Sequence, residues 1–293
     1  MISIIIPYLS GFKELKNCIA SINKQKIMSE IIVVNDSGKE LILNDEINII
    51  NNNNTMGAAY SRNIGFKKSS SETVLFIDKD TVFQTNCINN LLKKINYFDI
   101  VFPKIVYENG RVMHPVGKEK VFPQISTCFM ITKNSVNKLD ELFDENYKIY
   151  LEDADLFLRA RIACLKSLYV SDAVVVHTVK KYYNGKRFYL ENKNLLYGII
   201  KFSGINKKNI YHPFHFHSLF KNFICAVFNF DKFDWSHYNR SLNNYKKFKL
   251  LFRKHKRIID KNRLILFFYF FKGISWNVVN IRKIMHKKNS FQK

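Results

Sequence analysis

The chain has 293 residues, 47% of them hydrophobic, which is enough to bury one large core or two smaller ones and excludes a disordered chain. Its formal charge of +23 is unevenly placed: residues 1–180 hold 22 Lys and Arg against 20 Asp and Glu, whereas residues 181–293 hold 25 against 4. The charge therefore excludes one uniformly basic nucleic-acid-binding body and predicts two regions with different jobs, 1–180 and 181–293.

In chain order, residues 2–6 run apolar and β-branched without polar alternation, as a buried strand does, and Phe12, Leu15, Ile19 and Ile22 follow at helical spacing. "EIIVV" (30–34) and "EINII" (46–50) predict further strands, Ala58 to Lys68 a helix, and "TVLFI" (73–77) another strand. Strands separated by helix-length segments predict parallel pairing in a layered α/β sheet. From Asp99 extended segments take over, "DIVFPKIVYE" and "ISTCFMIT", before "EDADLFLRARIA" (152–163) returns to helical patterning and "SLYVSDAVVVHT" (167–178) reads as the last strand of the region. Beyond Lys180 the composition shifts to Lys, Asn, Phe and Tyr with weak helical patterning.

The five cysteines are widely spaced with no CxxC pair, which fits a reducing cytoplasm better than a disulfide framework or a zinc knuckle. Met1 leads into "ISIII" without a basic leader, and "LILFFYFF" (264–271), closed by Lys272, falls short of the roughly 20 residues a spanning helix requires. The expectation is a cytoplasmic protein without a transmembrane helix.

In parallel α/β sheets ligands collect beyond the carboxyl ends of the strands. There the chain places Pro7 and Tyr8, Asn35 and Asp36, and Asp78 and Asp80. Any single acid of this set fits an ordinary turn; their coincidence at three strand ends points to a site. Asp78 and Asp80, flanking Lys79, have the spacing to share a divalent cation with a diphosphate. "TMGAAYSRNIG" (55–65) offers Gly57 for a tight helix entry, Arg62 as a planar donor and Asn63 as an amide, on a helix expected over the same crevice. "YLEDADLFLRA" (150–160) starts a helix with three carboxylates in four positions. The helix dipole alone favours acids there, but three exceed what capping needs. Asp155 and Arg159 stand i to i+4 and are expected to pair, leaving Glu152 or Asp153 as a general base. His177 closes the last strand of the region, within reach of a metal or a phosphate. The "HPFHFH" run (212–217) reads as packing or membrane-surface material rather than a metal site.

With these residues in this order, the chain resembles the family 2 glycosyltransferases over about residues 1–180, with a looser echo at "KRFYLENKNLLYGIIKF" (186–202). The resemblance implies a GT-A fold: a Rossmann-like, mixed but mostly parallel sheet flanked by helices, followed here by a mainly helical basic C-terminal region. It implies that Pro7, Tyr8 and Asp36 line a nucleotide base pocket with Gly57, Arg62 and Asn63 nearby, that Asp78 and Lys79 lie against ribose and diphosphate, and that Asp80 is the metal ligand with His177 beside it. Asp153 would be the base, Glu152 an acceptor-side residue and Arg159 a structural partner. Two segments depart from the pattern. The second strand ends "NDSG" where relatives usually carry two acids, and "STCF" (126–129) stands where a glycine often admits the acceptor.

The resulting expectation is a Mg²⁺- or Mn²⁺-dependent inverting transfer of a sugar from a nucleoside diphosphate donor to a glycan or lipid-linked acceptor. The basic aromatic tail would meet an anionic membrane at the inner face of the cytoplasmic membrane. A non-catalytic RNA- or DNA-binding protein would explain the tail equally well, but not the ordered acids of a nearly neutral region. A sugar nucleotidyltransferase would want a glycine-rich phosphate loop after the first strand, where "PYLSGFKE" has one glycine.

Overall fold

The computed structural model describes residues 1–44, 46–113, 125–178, 185–204, 214, 216, 218–219 and 263–290. The chain divides into two compact units, Met1–Lys180 and Lys181–Lys293.

In the first unit eight strands form one sheet: β1 (Ile2–Tyr8), β2 (Ser29–Asn35), β3 (Ile47–Asn51), β4 (Thr73–Ile77), β5 (Thr81–Phe83), β6 (Ile100–Val106), β7 (Cys128–Thr132) and β8 (Ser167–His177). Their order across the sheet is β3-β2-β1-β4-β7-β6-β8-β5. The unbroken apolar run of β1 has a direct cause. Ile2, Ile4 and Ile6 point into one core and Ile5 into another on the opposite face, so neither side of the strand meets water. The first core is closed by α1 (Phe12–Asn23) and α3 (Cys87–Ile95). The second takes Ala59 from α2 (Ala58–Lys68), Val136 from α4 (Lys133–Val136), and Leu156, Phe157 and Ala160 from α5 (Glu152–Ile162). Helix α2 lies so close to the sheet that a Cβ on Gly65 would stand 2.6 Å from Ile5 Cγ2.

The sheet is mixed and mostly parallel. The pairs β1–β2, β1–β4, β2–β3 and β6–β8 are parallel. Strand β7, however, runs antiparallel to both its neighbours, β4 and β6, and β5 runs antiparallel to β8. This is the mixed, mostly parallel sheet that the resemblance implies. The segment after β6 returns in the reverse sense, which needs no helical crossover. Three elements of this unit add to the expected ones: β5, only three residues long, the one-turn α4, and α3, whose buried Cys87, Ile88, Leu91 and Ile95 carry the helical period. A register shift between Pro103 and Lys104 bulges β8 against β6, and beyond the bulge Val175 to His177 also pair with β5.

The second unit holds α6 (Gly185–Lys201), α7 (Arg263–Val279) and α8 (Ile281–Ser290) among its described residues. Asn277 donates through Nδ2 to the Lys193 carbonyl at 2.9 Å, tying α7 to α6. No helix among the described residues is long and apolar enough to cross a membrane.

Candidate active site

Strand β4 is fully buried from Val74 to Ile77 and then delivers Asp78 at its carboxyl end. The Asp78 amide donates to the Thr127 carbonyl, and the Thr81 amide donates to the Asp78 carbonyl, which closes a tight turn around Lys79 and Asp80. Antiparallel pairing of β5 with β8 then sets Thr81 opposite His177. The Thr178 amide donates to the Asp80 carbonyl at 2.9 Å, and His177 Nε2 stands 3.3 Å from Asp80 Oδ1. The short strand β5 is thus what carries a histidine, almost a hundred positions away in the sequence, to the aspartate pair. One ligand atom from each of Asp78, Asp80 and His177 lies within 4.8 Å of the others.

Electrostatics of this corner are set by close opposite charges. Burial works to raise Asp80, but the hydrogen bond from His177 and the charges of His177 and Lys79 hold its carboxyl below the usual range. Burial works to lower His177, and its bond to Asp80 with the charges of Asp78 and Asp80 raises it instead. Lys79 Nζ lies 3.9 Å from Asp80 Oδ2. Two carboxylate oxygens and one imidazole nitrogen form a donor set that fits a hard divalent cation; a phosphate oxygen and water would complete its shell. His177 Nδ1 is buried with no hydrogen-bond partner among the described residues.

Arg62 joins this corner to helix α5. Its Nη2 donates to Asp78 Oδ1 and its Nη1 to Glu152 Oε1, both at 2.8 Å, and the guanidinium lies 5.3 Å from the centre of the Phe143 ring. Arg62 and Glu152 are buried, as a charge pair of this kind must be to hold its geometry without water. Helix α5 begins after a turn in which Lys148, Tyr150 and Leu151 adopt positive φ of 62°, 71° and 66°, unusual for non-glycine residues. This turn aims the first residues of α5 at the strand ends. Asp153 Oδ2 accepts the Ser126 amide at 2.9 Å and Oδ1 accepts the Ala154 amide at 2.8 Å. Burial and the neighbouring charge of Glu152 push the Asp153 carboxyl up to about 7, against the pull of those two amides. Ser126 precedes Thr127, whose carbonyl holds Asp78, so the chain of contacts closes on itself: Asp78, Arg62, Glu152, Asp153, Ser126, Thr127. The remaining acid of the motif, Asp155, pairs with Arg159 Nε at 2.6 Å inside the protein, as the i, i+4 spacing predicts.

The other strand ends are organised around Asp36. Its Oδ1 accepts the Met56 amide and Asn52 Nδ2, and its Oδ2 accepts the Gly57 amide, all at 2.8 Å. Gly57 has φ 104°, and a Cβ there would meet the Lys148 carbonyl oxygen at 2.6 Å, so glycine is what lets the α2 entry and the 148–151 turn touch. Tyr8 and Pro7 end β1 half-buried beside Asp36, whose amide donates to the Tyr8 carbonyl. Asn63 points elsewhere: it donates to the Phe143 carbonyl and Glu145, and accepts the Phe143 amide. The Asn63 amide is thus engaged within the protein, and each Nη of Arg62 holds one carboxylate. Sequence reasoning did not reach the backbone of Ser126 and Thr127, nor the Lys148 carbonyl; contacts made by peptide groups leave no trace in residue type.

The model of glycosyl transferase family 2 matches residues 3–164, more than half of the chain. The chain belongs to glycosyl transferase family 2. An uncharacterized glycosyltransferase of Haemophilus influenzae is 31% identical over 101 residues, covering 32% of this chain and 34% of that protein. Glycosyltransferase GlyG of Streptococcus pneumoniae serotype 4 is 25% identical over 109 residues, 34% of this chain and 36% of that one. The chain thus spans about a third of the length of these curated relatives. Among solved structures, S. aureus TarS 1–349 superposes with a TM-score of 0.54 at 18% identity, over 71% of this chain and 67% of that one. TarS 1–349 in complex with UDP gives the same TM-score at 20% identity. This likeness establishes the GT-A fold.

Two places where the glycosyltransferase motifs are altered have structural explanations. Asn35, in "NDSG", uses its amide on the Lys39 carbonyl and Asn51 Oδ1, so it is a brace between β2 and β3 rather than a charge. In "STCF", Cys128 is fully buried opposite Ile77 and belongs to the core, while Ser126 and Thr127 contribute backbone to the ring of contacts. His212, His215 and His217 lie outside the described residues, as do Lys180 and Lys181.

Proposed function

We propose that this glycosyltransferase moves one sugar from a nucleoside diphosphate donor to an acceptor hydroxyl by a single inverting displacement. The observation that supports the reading is the contact chain in which Arg62 joins Asp78, one of three residues whose ligand atoms lie within 4.8 Å of one another, to Glu152, the neighbour of Asp153. The likeness to TarS, whose structures include complexes with UDP and UDP-GlcNAc, supports a nucleotide-sugar donor.

In this reading Pro7 and Tyr8 flank the base, while Asp36 holds the 52–57 loop and its Gly57 corner in the shape the nucleotide needs. Asp78 and Lys79 lie against ribose and diphosphate, and Asp80 with His177 holds Mg²⁺ or Mn²⁺. The cation, when bound, supplies positive charge for the departing diphosphate. Asp153, titrating near neutrality, takes the acceptor proton on a carboxylate oxygen while each oxygen keeps one backbone amide. Glu152, held by Arg62, shapes the acceptor side. The product belongs to a bacterial cell-surface polysaccharide or glycolipid, made at the inner face of the cytoplasmic membrane.

The test is turnover of a panel of UDP-, GDP- and TDP-sugars by the native protein and by Asp153→Asn. One donor should be consumed by the native protein, and the variant should lose about 10²–10⁴-fold in kcat while binding that donor as before. Native-rate transfer by Asp153→Asn would remove the assigned base.

A further inference from the structure

Helix α7 carries its apolar residues on both sides. With 3.6 residues per turn, the buried Leu266, Phe270, Gly273 and Asn277 fall on one face. The exposed Phe267, Phe268, Phe271, Lys272, Val278 and Val279 fall within an arc of about 140° on the other. A surface helix of a soluble domain normally directs polar residues outward along such an arc. Here Phe268 is 61% exposed, Val278 65% and Val279 83%. Helix α8 extends the pattern: Ile281 and Met285, one turn apart, are exposed, with the exposed Arg282 and Lys283 beside them.

Charge selects among the surfaces that could cover such a face. Residues 263–290 contain six Lys and Arg and no Asp or Glu. A second copy of this chain would bring the same cations against themselves, which disfavours a symmetric pairing through α7 and α8. An anionic bilayer offers what both residue classes require at once: negative headgroups for Arg282, Lys283 and Lys272, and an apolar layer just beneath for Phe268, Val278, Val279 and Ile281. We propose that the outer arc of α7 and the first turn of α8 form an interfacial docking face that lies on an anionic membrane without crossing it. This specifies the surface behind the membrane location proposed above, and it rests on that reading only for its biological purpose.

The experiment is sedimentation of the full chain with sucrose-loaded vesicles of phosphatidylcholine, with and without phosphatidylglycerol. The native protein should bind the mixed vesicles at least about tenfold more tightly than the neutral ones. The double variant Phe268→Glu, Val279→Glu should lose about tenfold of that binding, since both residues are exposed and the added charges oppose the anionic surface. Phe268→Trp should keep it, which separates a lost contact from a lost fold. Donor binding, read by calorimetry, should be the same in all three proteins, so a failed membrane assignment is distinguished from a failed transferase assignment. Equal binding of the native protein to neutral and anionic vesicles, unchanged binding of the double variant, or a protein-only dimer that the double variant dissolves would each overturn the proposal.

Discussion

Arg62 holds two carboxylates on one guanidinium by 2.8 Å charge-assisted bonds, one to the buried Glu152 and one to the half-buried Asp78. Removing it strands the buried Glu152 carboxylate and leaves the half-buried Asp78 without its partner, so Arg62→Met should cost about 3–5 kcal/mol in urea denaturation. Arg62→Lys keeps the charge but has no fork. It should retain most of the stability and still lose more than about tenfold in kcat, because one ammonium cannot fix Asp78 and Glu152 at once. Asp153 makes a prediction of opposite sign for stability. Its carboxyl is raised to about 7 in the folded protein, against about 3.9 in an unfolded chain, so the native state holds the proton more tightly. Ionisation therefore removes stability as pH rises from about 4 through 7. Asp153→Asn should melt higher than the native protein at pH 8, show no such gain at pH 4, and be inactive at both. Native activity should rise with pH along an acid limb centred near 7 and then level off, since only the carboxylate accepts the proton. At this scale the acids themselves were legible, because carboxylates crowded at strand ends and at a helix start are chemically conspicuous. Their partners were less so: Asn63 looked like a ligand donor, yet its amide is spent on Phe143 and Glu145, and both Nη atoms of Arg62 hold carboxylates, Asp78 and Glu152, choices that depend on which loops come close in space.

Helix α2 and strand β1 meet through Gly65, whose missing Cβ leaves room for Ile5 and Val34. In an exposed helix, Gly→Ala gains up to about 1 kcal/mol from propensity. Here the methyl would stand 2.6 Å from a β-branched side chain fixed in the central sheet, so Gly65→Ala should instead lower stability by about 1–3 kcal/mol in a denaturant titration. It should also weaken donor binding, because Gly57 and Arg62 ride on the same helix. The strands β1, β2, β3, β4, β6, β7 and β8 and the helices α1, α2 and α5 were visible as apolar runs and helical periods. The period of α3 was equally present in Cys87, Ile88, Leu91 and Ile95 but lay between two more conspicuous motifs. Strand β5 had no such signal, since three residues cannot show an alternation. That omission matters, for β5 is the reason His177 stands beside Asp80. The reversed direction of β7 was hidden for a different reason: pairing sense is decided by the path of the connection, not by the residues of the strand.

Across the whole molecule, the chain separates a nearly charge-balanced first unit from a strongly cationic second one, and this asymmetry was fully present in the sequence. Composition could not say that the cations of residues 263–290 accompany an outward apolar arc, because that depends on which face of α7 the second unit buries. The first unit links Asp78 through Arg62 to Glu152, the neighbour of Asp153, and the chemistry proposed for it depends on a cation held at Asp80. Calorimetric titration of the nucleotide-sugar donor into the native protein and into Asp80→Asn, each with Mn²⁺ and with chelator, measures that dependence directly. Donor binding should require the metal in the native protein and fall at least about tenfold in Asp80→Asn even with metal present. Equal affinity in all four titrations would show that no cation held by Asp80 serves the donor.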